Sequence, residues 1–558
     1  MRIGIVNVFS AHPSALLWFT VTDNGPTFPG RQVAPAAKST YEAGSLTGTL
    51  TAARFHLFPS TTMTTPTFYI QTFGCQMNVN DSDWVVRSLQ ARGFAPAPLE
   101  EASVYILNTC SVRDKPEQKV YSELGRIARY CKVHKKKPPL VCVGGCVAQQ
   151  VGERLVKRFP EVRLLFGTDG IAGVPDAIER LLDEPIRRIS LLDFVQQYEE
   201  RDALWQPGQV PVSAFVNIMQ GCNNFCTYCI VPYVRGRQKS RTPEAVLAEC
   251  HTLVAAGTKE ITLLGQNVNA YGQDGLAGDT TFVELLEQIC AIEGLGRVRF
   301  LTSHPKDVPA ELIALLGKEP KLCPRLHLPL QSGSDAVLAR MNRKYTVAGY
   351  LDVVQRLRAA RPDMVLTTDI IVGFPGETES DFDATMEIMR EVGYISSFSF
   401  VYSDRPGAKA VLLPGKIERS VALERLTRLQ TWQTEYTERL LRQMYGSVLP
   451  VLLDTPLSSS VVLGEGADKP TMPGSERGAL NSAGSTPEVQ PEKYGTAGEA
   501  AQGAEQQCQL WQGKTPHDIK VVVRFPSSRE GLQPGTMVQV QVTGASKQAL
   551  KGQEAGDT

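Results

Sequence analysis

Residues 221–229 read GCNNFCTYC, which spaces Cys222, Cys226 and Cys229 as C-x3-C-x2-C. Three thiolates on one short loop can hold three irons of a cubane cluster. Such clusters take four thiolates as a rule, so three leave one iron open to an outside ligand. Zinc is the competing reading. Structural zinc wants a closed set of four ligands, usually paired C-x2-C knuckles. Near this loop only Cys250 and His251 remain, on the next helical stretch. The spacing therefore favours an iron–sulfur cluster with an open position. A second triplet, Cys75, Cys110 and Cys146, lies far upstream. Twelve cysteines in 558 residues, six of them in two triplets, suit metal ligands in a reducing compartment better than a secreted disulfide scaffold.

Both triplets need elements to position them. From about 67 to 190 the pattern is α/β, with strands expected at 67–73, 102–109, 139–145 and 162–167 and a helix over 81–93 that stops at a glycine. Cys75, Cys110 and Cys146 each fall at or just past a strand end. In an open parallel sheet, ligands bind beyond those ends, so cysteines distant in sequence should converge there. From about 211 to 440 strands and helices alternate again. Strands are expected at 213–220, 260–266, 297–303, 325–331, 365–374 and 395–403, with a helix over 243–257. Six such units suggest a partial barrel with its site at the strand C-termini. A helix over 421–444 leads to a strand at 447–454, and strands resume at 519–525 and 536–545, as in a small C-terminal β-barrel.

Two segments break these patterns. Residues 1–65 are rich in Ser, Thr, Ala, Gly and Pro, and read either as an organellar transit segment or as an extension upstream of a true start at Met63. Residues 455–507 are poor in aromatics and rich in Gly, Ser, Pro, Glu and Ala, and read as a disordered insertion. Lys+Arg and Asp+Glu both number 58, so any nucleic-acid contact must use local patches such as CKVHKKK (131–137) and YVRGRQKSR (233–241). No apolar run approaches the roughly 20 residues that span a bilayer.

The motifs carry a resemblance. C-x3-C-x2-C after the first strand of a β/α barrel is similar to the radical S-adenosylmethionine (SAM) superfamily. TFGCQMNVNDSD (72–83), LNTCSVRDKPEQK (107–119), GGCVAQQ (144–150), QGCNNFCTYCIVPYVRGRQKSR (220–241), LLGQNVNAYG (263–272), SHPKD (303–307), LPLQSGSDAVLARMNRKYT (328–346), TDIIVGFPGET (368–378) and YSDRPGAKA (402–410) together resemble the MiaB-type tRNA methylthiotransferases. The resemblance covers about 67–454 and 508–552.

It implies three domains: an N-terminal methylthiotransferase domain over 66–190, a radical SAM core over 208–442, and a TRAM domain over 443–552 interrupted by 455–507. It implies two 4Fe–4S clusters. Cys222, Cys226 and Cys229 would hold the one whose open iron takes SAM, and Cys75, Cys110 and Cys146 the auxiliary one. It further implies that the auxiliary cluster carries a sulfur methylated by a first SAM. A radical from a second SAM then removes hydrogen from C2 of an N6-isopentenyladenosine beside the anticodon, and the methylthio group is transferred there. An aromatic C–H has no useful acidity, which is why a cofactor radical is needed. A sister activity on threonylcarbamoyladenosine, and a non-enzymatic iron–sulfur RNA-binding protein, are the alternatives. The continuous RPG at 405–407 leans toward the isopentenyl branch.

Further candidates follow. Tyr228 matches the aromatic near the SAM adenine. Gln266, Asn267 and Asp369 could meet SAM polar groups, and Gly373 and Gly376 could admit its adenine. Arg235, Arg237 and Arg241 could contact RNA phosphate or the SAM carboxylate. Cys131, Cys142, Cys250, Cys290, Cys323 and Cys508 read as incidental. The expected partners are the tRNA anticodon loop and a flavodoxin- or ferredoxin-type reductase, acting on a cytoplasmic monomer, or an organellar one if residues 1–62 are a transit segment.

Overall fold

The computed structural model describes residues 65–111, 116–202, 204–205, 210–457 and 508–556. The N-terminal extension and nearly all of the 455–507 insertion lie outside these residues. Among the described residues, no helix is long and apolar enough to cross a membrane.

The chain opens with a six-stranded sheet in the order β2-β1-β3-β4-β5-β6, parallel at every pairing. Its strands are β1 (Thr67–Thr72), β2 (Ala95–Pro96), β3 (Val104–Thr109), β4 (Leu140–Gly145), β5 (Val162–Phe166) and β6 (Ile189–Leu191). β3 and β4 are buried along their whole length, as apolar runs covered on both faces must be. Val104 and Ile106 meet helices Gln76–Ala91 and Val174–Asp183 through Leu89 and Ile178 on one face. Tyr105 and Leu107 meet helices Pro116–His134 and Cys146–Arg158 through Leu124 and Val151 on the other. The connections from β1 (to β2) and β3 (to β4) leave toward opposite edges, so the crevice beyond β1 and β3 is the topological switch point of the sheet.

The second region runs β7 (Ser213–Asn217), β8 (Met219–Gln220), β9 (Lys239–Ser240), β10 (Glu260–Leu264), β11 (Arg297–Phe300), β12 (Arg325–His327), β13 (Val365–Val372) and β14 (Ser396–Val401). Two parallel three-stranded sheets, β11-β10-β7 and β12-β13-β14, are joined by a parallel bridge between Val298 and Leu322. The six expected strands of the partial barrel are thus all present. β8 and β9 form a two-residue antiparallel ribbon that closes the neck of the 221–238 loop. Ile370 and Val372 face the helical layer with Tyr350, Phe382 and Met386. The alternating residues therefore line the concave face.

The third region is a closed barrel in the order β15-β16-β17-β19-β18. It comprises β15 (Val448–Leu457), β16 (Cys508–Lys514), β17 (Lys520–Pro526), β18 (Met537–Ala545) and β19 (Ala549–Glu554), after helix Arg419–Gln443. β16 and β19 were not expected from sequence, nor were the short β2, β6 and β9, whose two or three residues carry no periodicity; the strand expected over 213–220 divides into β7 and β8. Arginines at the N-terminal ends of β11 and β12 join this barrel to the larger one. Arg297 donates to Lys514 O (2.8 Å) and Pro450 O (3.1 Å), Arg299 to Thr515 O (2.9 Å), and Arg325 to His517 O (2.9 Å). Glu260 lies 3.0 Å from Arg299. Buried guanidinium groups at this seam are thus met by carbonyls and a carboxylate, as desolvated charge requires.

Candidate active site

The upstream cysteines sit where the parallel sheet predicts. Cys75 caps helix Gln76–Ala91 directly after β1, Cys110 follows β3, and Cys146 opens the helix after β4. Gly145 has φ +84°, and a Cβ there would overlap the Thr109 carbonyl. Glycine at 145 is what lets the chain turn sharply enough to aim Cys146 back at Cys110. Asn78 bridges the neighbouring strand ends by donating to Thr109 O at 2.9 Å and Asn108 Oδ1 at 3.0 Å. The three thiols interact: hydrogen bonding to Cys110, then the charge of Arg235, brings Cys75 down to about 5 and Cys146 to about 6. Cys110 is pushed up by the same two neighbours and by burial.

The downstream triplet is built locally. Gly221 has φ +80°, and any Cβ would collide with the Arg237 carbonyl. Cys229 N–H donates to Cys226 O at 3.0 Å, closing a tight turn. The loop is held from outside by Thr227 N–H to Met341 O (3.0 Å), Asn342 to Phe225 O (3.1 Å) and Ala410 N–H to Thr227 O (2.8 Å). Burial pushes Cys222 up and carries Cys229 to about 12.

Arg343 is the main residue that sequence reading missed here. It is 4% exposed and donates to Cys226 Sγ (3.3 Å), Tyr228 Oη (3.4 Å), Tyr345 Oη (3.0 Å) and Pro329 O (3.2 Å). Among the described residues no carboxylate pairs with it, so it is a buried cation facing a thiolate site. Its neighbours Asn342 and Lys344 both have positive φ, a strain that marks functional segments. The only sequence signal was its position inside MNRKYT. His304 lies beside it, edge-on to Tyr345 at 5.6 Å, and burial followed by the Arg343 charge holds its pKa near 2.

The two sites face one another. Cys146 packs against Ile230 and Val234, which follow Cys229 on the short helix Val231–Val234. The next residue, Arg235, reaches Asn78 Oδ1 at 3.0 Å. Gln266 accepts from Gly221 N–H at 2.5 Å and also donates to the Met77 sulfur, so it ties the barrel loop to the upstream site. Lys239 pairs with Asp169 at 2.5 Å across the same seam.

Other expected residues are distributed differently. Tyr228 is half-buried, packed with Tyr402 against a cluster that includes Phe374 and Met341. Asp369 lies on the concave face, 3.4 Å from His327, in register with Phe398. Asn267 pins the 303–307 turn through Asp307 (2.7 Å) and His304 N–H (3.0 Å). Gly373 donates to Glu377 (2.6 Å) and abuts Ala422, and the backbone of Gly376 donates to Gly415 O at 2.7 Å. Asn267, Gly373 and Gly376 thus have internal structural tasks. Of the three arginines, Arg241 is buried between Glu200 (2.6 Å) and Glu249 (2.5 Å), which takes it out of reach of RNA or SAM. Arg235 belongs to the upstream site. Only Arg237 is exposed, over the Phe225 ring at 4.4 Å, beside Tyr233.

The donor set fits iron–sulfur ligation. Each site offers three cysteines beside one buried guanidinium, with no disulfide among the described cysteines. Among the described residues no three His, Cys, Asp or Glu side chains converge on one ion, and cluster thiolates need not, since each binds a different iron.

Residues 216–389 match the radical SAM superfamily and residues 67–167 match uncharacterized protein family UPF0004. The chain is 54% identical over 492 residues to the tRNA-2-methylthio-N(6)-dimethylallyladenosine synthase of Oleidesulfovibrio alaskensis, covering 88% of this chain and 99% of that one. The chain belongs to this family. Its Nitratidesulfovibrio vulgaris member is 60% identical over 388 residues, covering 70% of this chain and 86% of that one. A solved radical SAM methyltransferase, TsrM from Kitasatospora setae, is similar at 15% identity and a TM-score of 0.46 over 62% of this chain and 77% of that one. As a radical SAM methylthiotransferase the protein is a transferase whose family chemistry uses a 4Fe–4S cluster and SAM.

Proposed function

We propose that this protein converts N6-isopentenyladenosine beside the tRNA anticodon to its 2-methylthio derivative, with Cys222, Cys226 and Cys229 holding the SAM-binding cluster and Cys75, Cys110 and Cys146 a second one. The observation that carries the reading is the meeting of the two triplets across one seam, through Cys146 against Ile230 and Val234 and Arg235 against Asn78. Sulfur insertion needs both sites within reach of one substrate atom, whereas radical generation alone needs one. When bound, the first cluster and SAM supply the radical that opens the adenine C2–H bond, and the second cluster supplies the sulfur.

The chain's own residues bind and orient. Arg343 offers fixed positive charge beside Cys226 and has no carboxylate partner among the described residues, so it suits an anionic group of a bound cofactor. Tyr228 and Asp369 bound the same space. Phe398 and Phe400, 54% and 40% exposed, stand on the concave face, where a base with an apolar substituent gains from aromatic contact. Phe225, Tyr233 and Arg237 form an aromatic–cationic rim suited to stacked, unpaired bases and their phosphates. At the base, Arg299 ties the 515–516 loop of the C-terminal barrel to the larger one through Pro516 O (2.6 Å) and Thr515 O (2.9 Å).

The same reading takes 66–190, 208–442 and 443–552 as an N-terminal methylthiotransferase domain, a radical SAM core and a TRAM domain. A small iron–sulfur or flavin reductase would serve as electron donor, and the working unit would be a cytoplasmic monomer. Nucleosides from tRNA of a deletion strain test it. Loss of 2-methylthio-N6-isopentenyladenosine, restored by the gene, is expected. Loss of only the threonylcarbamoyl product would overturn it.

A further inference from the structure

Arg235 comes from the barrel's cysteine loop yet ends inside the upstream site. It is 2% exposed. Its guanidinium meets Met77 Sδ at 3.8 Å and Asn78 Oδ1 at 3.0 Å, the same oxygen that accepts from Cys75 Sγ at 3.4 Å, and the preceding Val234 packs against Cys146. The one carboxylate near it among the described residues is Asp81, at 3.8 Å. Asp81 already holds Arg201 more closely, at 3.0 Å. Two buried guanidinium groups therefore share a single carboxylate, and the balance of negative charge facing Arg235 falls to the three cysteines. A desolvated cation needs such a partner, and the cysteines pass that role to whatever they hold.

We propose that Arg235 is the counter-ion of the second cluster, a positioning residue lent by the barrel loop that favours the more reduced, more negative state of a cluster ligated by the N-terminal sheet. The inference rests on the reading that Cys75, Cys110 and Cys146 bind a cluster. It adds that the charge of this cluster is set from the other half of the molecule. The same side chain would then report to the upstream site any displacement of the downstream cysteine loop, since only residues 230–234 separate Cys229 from Arg235, with the helix Val231–Val234 among them.

The test uses the full chain with Cys222, Cys226 and Cys229 all changed to Ala, reconstituted anaerobically, so that only the upstream site can hold iron. About four irons per chain are expected. Absence of iron would remove the underlying reading, independently of Arg235. A redox titration followed by electron paramagnetic resonance then compares Arg235, R235K, R235Q and R237Q in that background. R235Q should lower the reduced-to-oxidised ratio at fixed potential at least about tenfold, equivalent to about 59 mV for a one-electron couple. R235K should stay near the parent, and R237Q, exposed on the same loop, should be unchanged. If R235Q fails to hold iron while R235K holds it, charge is again the requirement. R235Q with full iron and an unchanged potential, or equal loss of iron in R235K, would overturn the proposal.

Discussion

The two cysteine triplets are built in opposite ways. The downstream site is local: three cysteines on one loop, turned by Gly221 and clamped by Thr227 and Asn342. The upstream site is assembled from three strand ends spread over residues 75–146, with β3 lying between β1 and β4 in the sheet. Their electrostatics differ too. Cys75 and Cys146 lie below the usual thiol range because Cys110 and Arg235 stabilise their thiolates. Cys222 and Cys229 lie above it because burial dominates. The lesson is that the local site can keep its shape without its cofactor, while the upstream site depends on the sheet, on the seam and on a guanidinium from the other region.

The largest test of that contrast separates the two sites. Cys75→Ala should leave about four irons per chain instead of about eight and retain SAM cleavage while abolishing methylthiolated nucleoside. Cys229→Ala should abolish 5′-deoxyadenosine formation. The assignment fails if Cys229→Ala still makes it, measured by chromatography of the reaction mixture.

Next in size is the footing of the downstream loop. Arg241→Ala leaves Glu200 and Glu249 without their shared cation and opens the contact to Asn217 O. Removing one partner of a fully buried pair costs roughly 3–5 kcal/mol; the Glu200 side chain is 41% exposed and that of Glu249 19%, so the loss falls at or below the lower end of that range. Urea unfolding should reveal a loss of this order, whereas Arg237→Ala should stay within about 0.5 kcal/mol. Equal losses would mean the loop is not anchored through Arg241.

A smaller effect distinguishes the thiols. In metal-free protein at pH 7, Cys75 is held as thiolate and Cys229 is not, and both are half-buried. Alkylation followed by peptide mass analysis should label Cys75 at least about ten times faster. Faster labelling of Cys229 would reverse the electrostatic ordering of the two sites.

The smallest effect concerns His304, beneath Arg343. Its folded-state pKa, near 2, lies below the unfolded value of about 6.5. Its stabilising contribution is therefore complete above about pH 6.5 and declines as pH falls toward 2. His304→Gln should flatten the acid-side stability slope of metal-free protein by up to about 1.4 kcal/mol per pH unit. An unaltered slope would mean that His304 already charges in the folded state.

How much of this was legible before the fold is clearest in particular residues. GCNNFCTYC carried its own chemistry, because spacing within one loop sets which atoms can share a cluster. The strands bearing Cys75, Cys110 and Cys146 were legible as apolar runs, and parallel-sheet geometry forecast their convergence. Arg235 and Arg241 were not separable, since two arginines in one basic stretch look alike until burial and carboxylate partners are known. Arg343 was hidden for the same reason in reverse: its role depends on Cys226, more than a hundred positions away. The two-residue β9 left no pattern, although its pairing with β8 closes the neck of the cysteine loop.

Sequence alone thus determined the two cysteine triplets proposed as ligands, the α/β regions that carry them and the family motifs, because periodicity and spacing are properties of the chain itself. Only the tertiary structure decided which cations serve which site. It brought Arg235 to the upstream cysteines, left Arg237 in solvent and closed the barrel base with Arg299. Buried charge finds its partner through space, and that partner is chosen when the regions pack.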